Sequence, residues 1–178
     1  MSKKVLGISS SGRVSGNSNQ LLQSFLKGAT QAGHTTEIIQ LTGKKINFCT
    51  GCWQCKKTNQ CIFRDDMDDI APKIMAADVI VLASPIYFYA ISGQLKTMLD
   101  RLDPYYEQIN NKDFYYCFSC ADNDPSAMDT AVLEIRGFLE CCNDCNEKGI
   151  IRGTNVTQIG DIKNTPHLEE AFIMGNNI

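Results

Sequence analysis

Residues 5–19 read VLGISSSGRVSGNSN, and the order of their parts decides the fold. Val5 to Ser9 is a short apolar strand. From Asn17 to Ala32, Leu21, Leu22, Phe25, Leu26 and Ala29 recur at helical spacing until Gly33 closes the run. A strand that passes through a polar loop straight into a helix opens a β-loop-α unit, and further units follow it along the chain.

Glu37 to Leu41 reads as a second strand, and Asp66 as the cap of a short helix through Ala76. Asp78 to Ala83 (DVIVLA) is a continuous apolar strand of the kind buried on both faces, after which Ser92 caps a helix through Leu102. Lys112 to Ser119 is a fourth strand. Asp124 and Pro125 start a long helix that ends at Gly149, Ile150 to Ile159 is a fifth strand, and Thr165-Pro166 opens a terminal helix. Right-handed crossovers return the chain to the same end of the sheet, so this alternation predicts parallel pairing. The expected architecture is an α/β three-layer sandwich with a central parallel five-stranded sheet. One domain spans residues 1–178, with a cysteine-rich, irregular loop at 42–65.

With 178 residues, 43% of them hydrophobic, the chain suits one compact core. Its net charge of -3 gives no basic field for nucleic acid. No apolar run approaches the roughly 20 residues that span a bilayer, so no membrane partner is expected. The start, MSKKVLGISSSG, has too few apolar residues for a signal peptide. Nine cysteines without an export signal point to reduced thiols in a cytoplasmic protein, where clustered cysteines bind metal or do redox chemistry.

Between the first strand and its helix lies SSSGRVSGNSN, residues 9–19. The G-x-G-x-x-G dinucleotide fingerprint is absent; hydroxyls, amides and one arginine replace it. A phosphate monoester is best held by many donors at a helix N-terminus, where free N–H groups and the positive end of the dipole point outward. Ser9, Ser11, Asn17, Ser18 and Asn19 supply side-chain donors, Gly12 and Gly16 permit tight curvature, and Arg13 adds charge. Helix capping alone needs one such residue, not a cluster.

At the end of the third strand the chain runs ASPIYFYAISGQLKTMLDR. Ligands of open α/β sheets sit outside the carboxyl ends of the strands, so this loop faces the same crevice. Pro85 is expected to stop the strand, and Ile86, Tyr87 and Phe88 to offer backbone amides and flat surfaces to a ring system; alone, such aromatics are more often packing.

These segments, with CTGCWQCKKTNQCIFRDDM and the late GDIKNTPHLEEAFIMGNNI, make the chain resemble the NAD(P)H-dependent FMN reductases of the flavodoxin-like superfamily, in particular its iron-sulfur flavoprotein branch. The resemblance implies that Ser11, Arg13, Asn17, Ser18 and Asn19 meet the FMN phosphate, and that Pro85, Ile86, Tyr87 and Phe88 run along the isoalloxazine ring. It places Ser119, Cys120 and Ala121 beside the ring's pyrimidine side, although they depart from the small glycine-rich turn expected there.

Cys49, Cys52, Cys55 and Cys61 form a C-x2-C-x2-C-x5-C run whose spacing is similar to that of the iron-sulfur flavoproteins. Three thiols from one tight loop and a fourth nearby suit a [4Fe-4S] cluster. Free thiols are the second reading, since cluster-free reductases of the superfamily keep cysteine-rich loops before DDM, and zinc is the third. Trp53 either shields this site or packs. Cys117 and Cys120 are expected on opposite faces of a strand, Cys141, Cys142 and Cys145 on a helix, and His34 and His167 in solvent.

A flavin takes hydride by stacking and alignment, so no catalytic side chain is singled out. The expected activity is FMN-dependent transfer from NAD(P)H, as co-substrate, to a small acceptor such as a flavin, quinone, azo or nitro compound. With one evident nucleotide site, both substrates visit the same flavin face in turn and give ping-pong kinetics. One alternative is an electron carrier between protein redox partners without significant NAD(P)H turnover; another is a binding module with structural zinc. The resemblance also implies a homodimer or homotetramer in which a neighbour helps cover the flavin and the cysteine loop joins the interface.

Overall fold

A computed structural model describes all 178 residues. Its strands are β1 (Lys4–Ser9), β2 (Thr35–Gln40), β3 (Val79–Tyr87), β4 (Ala90–Ile91), β5 (Asn110–Ser119) and β6 (Asn143–Gly153). The α-helices are α1 (Asn17–Gln31), α2 (Cys55–Thr58), α3 (Met67–Ala76), α4 (Gly93–Asp100), α5 (Asp129–Leu139) and α6 (His167–Asn176). Five strands pair in parallel in the order β2-β1-β3-β5-β6, as the alternation of elements requires, and β4 folds back antiparallel on the end of β3.

Alternation along β1 divides the core. Leu6 and Ile8 pack with residues of α3, α4 and α5, such as Ile70, Leu95 and Val132. Val5 packs on the opposite face with Leu22 and Phe25 of α1 and Ala171 of α6. This is the expected three-layer sandwich. Cys117 and Cys120 fall on opposite faces in the same way, one in each core.

Two boundaries differ from the sequence pattern. β3 does not stop at Pro85 but runs to Tyr87, with Pro85 paired to Ser119. The proline is tolerated because its missing donor points toward β1, which has already ended: the last β1 pair is Ser9 with Ala83, and Ser10 N–H donates to the Ala83 carbonyl. The helix expected to reach Gly149 ends at Leu139, and β6 begins at Asn143 rather than Ile150. Its first half, NDCNEKG, carries no apolar alternation because it is an edge strand held by backbone pairing to β5. Cys141 and Cys142 therefore lie in the turn after α5, and Cys145 lies in β6.

Among the expected caps, Ser92 accepts from the Leu95 amide and Asp124 from the Ser126 amide, the latter opening a 3-10 turn before α5. Asp66 precedes α3 but its carboxylate accepts from the Lys45 amide instead; Asp65 accepts from the Met67 amide. His34 and His167 are half-buried rather than solvated. Lys3 N–H donates to His34 Nδ1 at 3.0 Å, and His167 Nδ1 lies 2.7 Å from Glu170 Oε2. No helix is long and apolar enough to cross a membrane.

Candidate functional site

Successive strands are added on one side of β1 up to β2 and on its other side from β3 onward, and the loops leaving the carboxyl ends of β1 and β3 flank a crevice at that switch point. The first loop curls from Ser9 to Asn17. Gly16 is the N-cap of α1, with no side chain capping the helix, so the first-turn amides of the 15-residue helix are left facing the loop. A Cβ on Gly16 would overlap Ser11 Oγ, which already accepts from the Arg13 amide and donates to the Arg13 carbonyl. The loop is therefore a tight cradle that only glycine at position 16 permits.

The side chains of this loop divide into two groups. Ser9 Oγ is buried and has no partner in the protein, and Ser18, nine positions later in the first turn of α1, is buried too. Asn17 and Asn19 are spent on the protein. Asn17 Nδ2 donates to the Gln158 carbonyl at 2.9 Å, while its Oδ1 accepts from the Gly160 amide at 3.1 Å. Asn19 donates to the Val14 carbonyl and accepts from Gln40 Nε2. Arg13 is exposed and reaches the Thr157 carbonyl at 3.2 Å; Gly12 is exposed with open space around it.

The structure thus brings in residues that the sequence did not single out. Asp161 accepts from the amides of Thr157 and Gln158, shaping the loop after β6 that holds Arg13 and Asn17. Ser10, not Ser9 or Ser11, knits the first loop to the second: its hydroxyl donates to Ala83 O at 3.0 Å and accepts from Ser92 Oγ at 2.8 Å. Ser84 Oγ accepts from the Ser92 amide. The helix-capping position of Ser92 was legible; its second contact across 82 residues was not.

In the second loop, Tyr87 pairs with Ala90 and Ile86 with Ile91, leaving Phe88 and Tyr89 as a two-residue turn. Their φ angles are 50° and 66°. Two successive positive values are the type I′ geometry that favours Asn-Gly, and each bulky side chain there costs about 1–2 kcal/mol. Phe88 is 99% exposed, and Tyr87 and Tyr89 are exposed beside it. Pro85 and Ile86 are half-buried. At the third loop Ser119 is buried, the Cys120 amide donates to the Gly153 carbonyl, and Ala121 is exposed.

The cysteines occupy a separate place. Cys49, Cys52, Cys55 and Cys61 all line one cavity of about 380 Å³, walled by Trp53, Ile62, Phe63, Asp100, Arg101, Asp103 and Pro104. No three of the thiols converge on a single metal-binding point. Gly51 (φ 64°) and Trp53 (φ 59°) both adopt left-handed backbone, which coils the loop and turns its thiols to one cavity; Trp53 is exposed on its rim. The loop begins against the first loop, where Thr42 Oγ1 donates to the Ser11 carbonyl, but the cavity lies at the far end of α4. Eight helical residues separate Ser92 from Arg101, an axial rise of about 12 Å.

Cys55 donates to Asp103 Oδ2 at 2.9 Å, and burial, then the Asp103 carboxylate, push its thiol pKa up. Arg101, two residues before Asp103 in the lining, forms a bidentate pair with Asp65, at 2.6 and 3.1 Å. In kind, four thiols around one cavity are the donor set that an iron–sulfur cluster takes, and Arg101 shares their wall with Asp100 and Asp103.

Comparison with known proteins adds a family and a set of shapes. The family model described as "NADPH-dependent FMN reductase" matches residues 3–122. An iron-sulfur flavoprotein of Methanocaldococcus jannaschii is 44% identical over 101 residues, 57% of this chain and 52% of its own length. One from Archaeoglobus fulgidus is 39% identical over 102 residues, 57% of this chain and 46% of its own. The chain thus spans about half the length of the curated relatives that it matches. Among solved structures, an NAD(P)H:quinone oxidoreductase from Methanothermobacter marburgensis superposes with a TM-score of 0.80 at 16% identity, over 99% of this chain and 96% of that one. An azoreductase from Bacillus anthracis gives 0.75 at 19% identity over the full length of both. At these identities the likeness speaks for the fold.

Proposed function

Because the chain belongs to the NADPH-dependent FMN reductase family, we propose that it is an FMN-dependent oxidoreductase that takes hydride from NAD(P)H and reduces a small acceptor. The observation that carries this reading is the Ser9–Asn17 cradle at the switch point, with the free amides of α1, a glycine that admits no Cβ and an unpartnered buried hydroxyl on Ser9. A phosphate dianion satisfies all three. FMN, when bound, supplies the hydride chemistry.

The chain's own residues bind and orient. Asn17 fixes the helix start to the 158–162 loop, Ser10 locks the first loop to the second, and the strained Phe88–Tyr89 turn holds aromatic surface at the crevice. No titratable side chain is needed for proton transfer at these loops, in keeping with their serine, amide and aromatic content. Quinones, azo and nitro compounds and free flavin are the acceptor classes proposed. An exposed ring face that serves donor and acceptor in turn gives parallel double-reciprocal lines.

Fluorescence titration of the flavin-stripped protein with FMN tests the reading. Tight binding that weakens at least tenfold in Gly16→Val, with circular dichroism unchanged, is the expected result. Failure of the wild-type protein to quench FMN fluorescence would overturn it.

A second reading is favoured by the four cysteines that share one cavity: an iron-sulfur flavoprotein that carries electrons between protein partners. Steady-state NAD(P)H consumption with a quinone and no partner protein separates the two, being substantial only for the first.

A further inference from the structure

A loop that binds an anion must keep its carbonyl oxygens off the ligand, and the first loop does so residue by residue. Arg13 O accepts from the Gly16 amide at 2.8 Å and from Ser11 Oγ at 2.9 Å. Val14 O accepts from Asn19 Nδ2, Ser15 O from Gln20 Nε2 at 2.7 Å, and Gly16 O from the Gln20 amide at 3.0 Å. Four successive carbonyls are thus tied back to the protein. In a trans peptide the N–H points opposite to the C=O, so holding the Val14 carbonyl turns the Ser15 N–H the other way. That amide has no acceptor in the protein, and Ser15 is exposed.

The bond on the Val14 carbonyl is governed from outside the loop. Asn19 is fully buried, and its amide is oriented by Gln40 at the end of β2. The polarity of this chain of bonds is forced. A carbonyl only accepts, so Asn19 must give Val14 its Nδ2; its Oδ1 is then an acceptor, to which Gln40 must give Nε2, at 2.7 Å. Gln40 Oε1 is left buried without a partner, as is the hydroxyl of Ser9, its register neighbour on β1. An unpaired buried acceptor is unfavourable. The orientation that leaves it so is kept because the reverse one sets two oxygens against each other, at Asn19 or at Val14.

We propose that Gln40 is a positioning residue of the phosphate cradle and sets its preference for a phosphorylated flavin: through Asn19 it holds the Val14 carbonyl back and the Ser15 N–H toward the phosphate. The inference rests on the reading that this loop takes the phosphate of FMN. Without the Gln40 donor, Asn19 is free to turn its amide, and the Val14–Ser15 peptide is free to turn its carbonyl to the ligand. A carbonyl facing a dianion repels it. Riboflavin has no phosphate and is indifferent to that peptide, so Gln40 acts on the phosphate and not on the ring.

The test titrates flavin-stripped wild type and Gln40→Met, which keeps the side-chain length and removes the donor, with FMN and with riboflavin by fluorescence quenching. The variant is expected to lose about tenfold in FMN affinity, as for one hydrogen bond to a charged group, and to bind riboflavin within about twofold of the wild type. A measurement on the wild type needs no variant to fold: in 1H–15N NMR spectra the Ser15 amide proton is expected to move downfield with FMN and to stay in place with riboflavin. Wild type that binds neither flavin overturns the FMN reading and this inference together. Wild type that binds FMN with no shift at Ser15, or a variant in which both affinities fall alike or neither changes, overturns the role of Gln40 and leaves the FMN reading standing.

Discussion

The backbone of Gly28 in α1 lies directly against the carbonyl of Phe172 in α6, so closely that a Cβ on the glycine would overlap that oxygen. Gly175 makes the reciprocal approach to Phe25 O, and the two helices pack through these paired glycines. Backbone, unlike a flexible side chain, cannot yield. Gly28→Ala and Gly175→Ala are each expected to destabilise the protein by about 1–3 kcal/mol, measured by urea unfolding. Gly137→Ala, which meets open space, serves as the control.

Asp65 is the carboxylate on which the cysteine loop closes. Removing it in Asp65→Ala leaves Arg101 as a buried, uncompensated charge, and the expected loss is about 3–5 kcal/mol in chemical denaturation.

The same carboxylate sets a pH dependence. Burial would raise the Asp65 pKa, but hydrogen bonds from Arg101, from the Asn47 amide and side chain and from the Met67 amide hold it far below the ordinary 3.8. Its stabilising contribution is therefore complete above the unfolded value and is lost as pH falls through the folded one. Melting temperature is expected to be level above about pH 5 and to drop below about pH 4. The part of that drop owed to Asp65 disappears in Asp65→Asn, and an equal acid slope in both proteins would contradict the assignment.

Relief of the type I′ turn separates strain from function. Phe88→Asn with Tyr89→Gly supplies the residues that positive φ favours and is expected to raise stability by about 1–2 kcal/mol. If the aromatic turn orients the flavin ring, the same variant binds FMN several-fold more weakly in fluorescence titration.

Thiol labelling maps the cysteines. Cys49 and Cys52 are exposed, whereas burial pushes the Cys117 thiol up to about 12; burial, then the neighbouring Cys145 and Cys141, push Cys142 to about 12. In iron-free native protein at pH 8, iodoacetamide is expected to modify Cys49 and Cys52 first, with Cys117 and Cys142 labelled only after denaturation, as read by peptide mass spectrometry.

Much of the fold was written in periodicity and caps. Leu21, Leu22 and Phe25 announced α1, and Ser92 announced α4, because burial of an apolar stripe and a free amide are local demands. The start of β6 was illegible because Asn143 to Gly149 is held by pairing with β5, and an edge strand needs no apolar alternation. Pro85 misled for a related reason: whether a proline ends a strand depends on whether a neighbour needs its N–H. Within the site, the composition of residues 9–19 pointed to anion binding, but composition could not tell which polar groups remain free. Asn17 and Asn19 turn out to serve the protein, while Ser9 is left without a partner. The spacing of the cysteines pointed to a cluster, free thiols or zinc; the fold gathers the four thiols around one cavity without bringing three to a common point, and nothing in the spacing foretold Arg101, 40 positions beyond Cys61.

The cysteine loop is pinned at its root. Asp66 N–H donates to the Lys45 carbonyl, the Lys45 amide donates back to the Asp66 carboxylate, and the Asn47 amide donates to Asp65. Beyond this clasp residues 48–64 add no strand to the sheet and touch the rest of the fold through side chains, Cys55 and Lys56 at Asp103, Arg64 at Asp68 and Phe63 under Arg101. The segment is thus a cassette on a finished scaffold: its length and cargo can change over evolution, or be exchanged in the laboratory, without re-registering a single strand, provided that the clasp is kept.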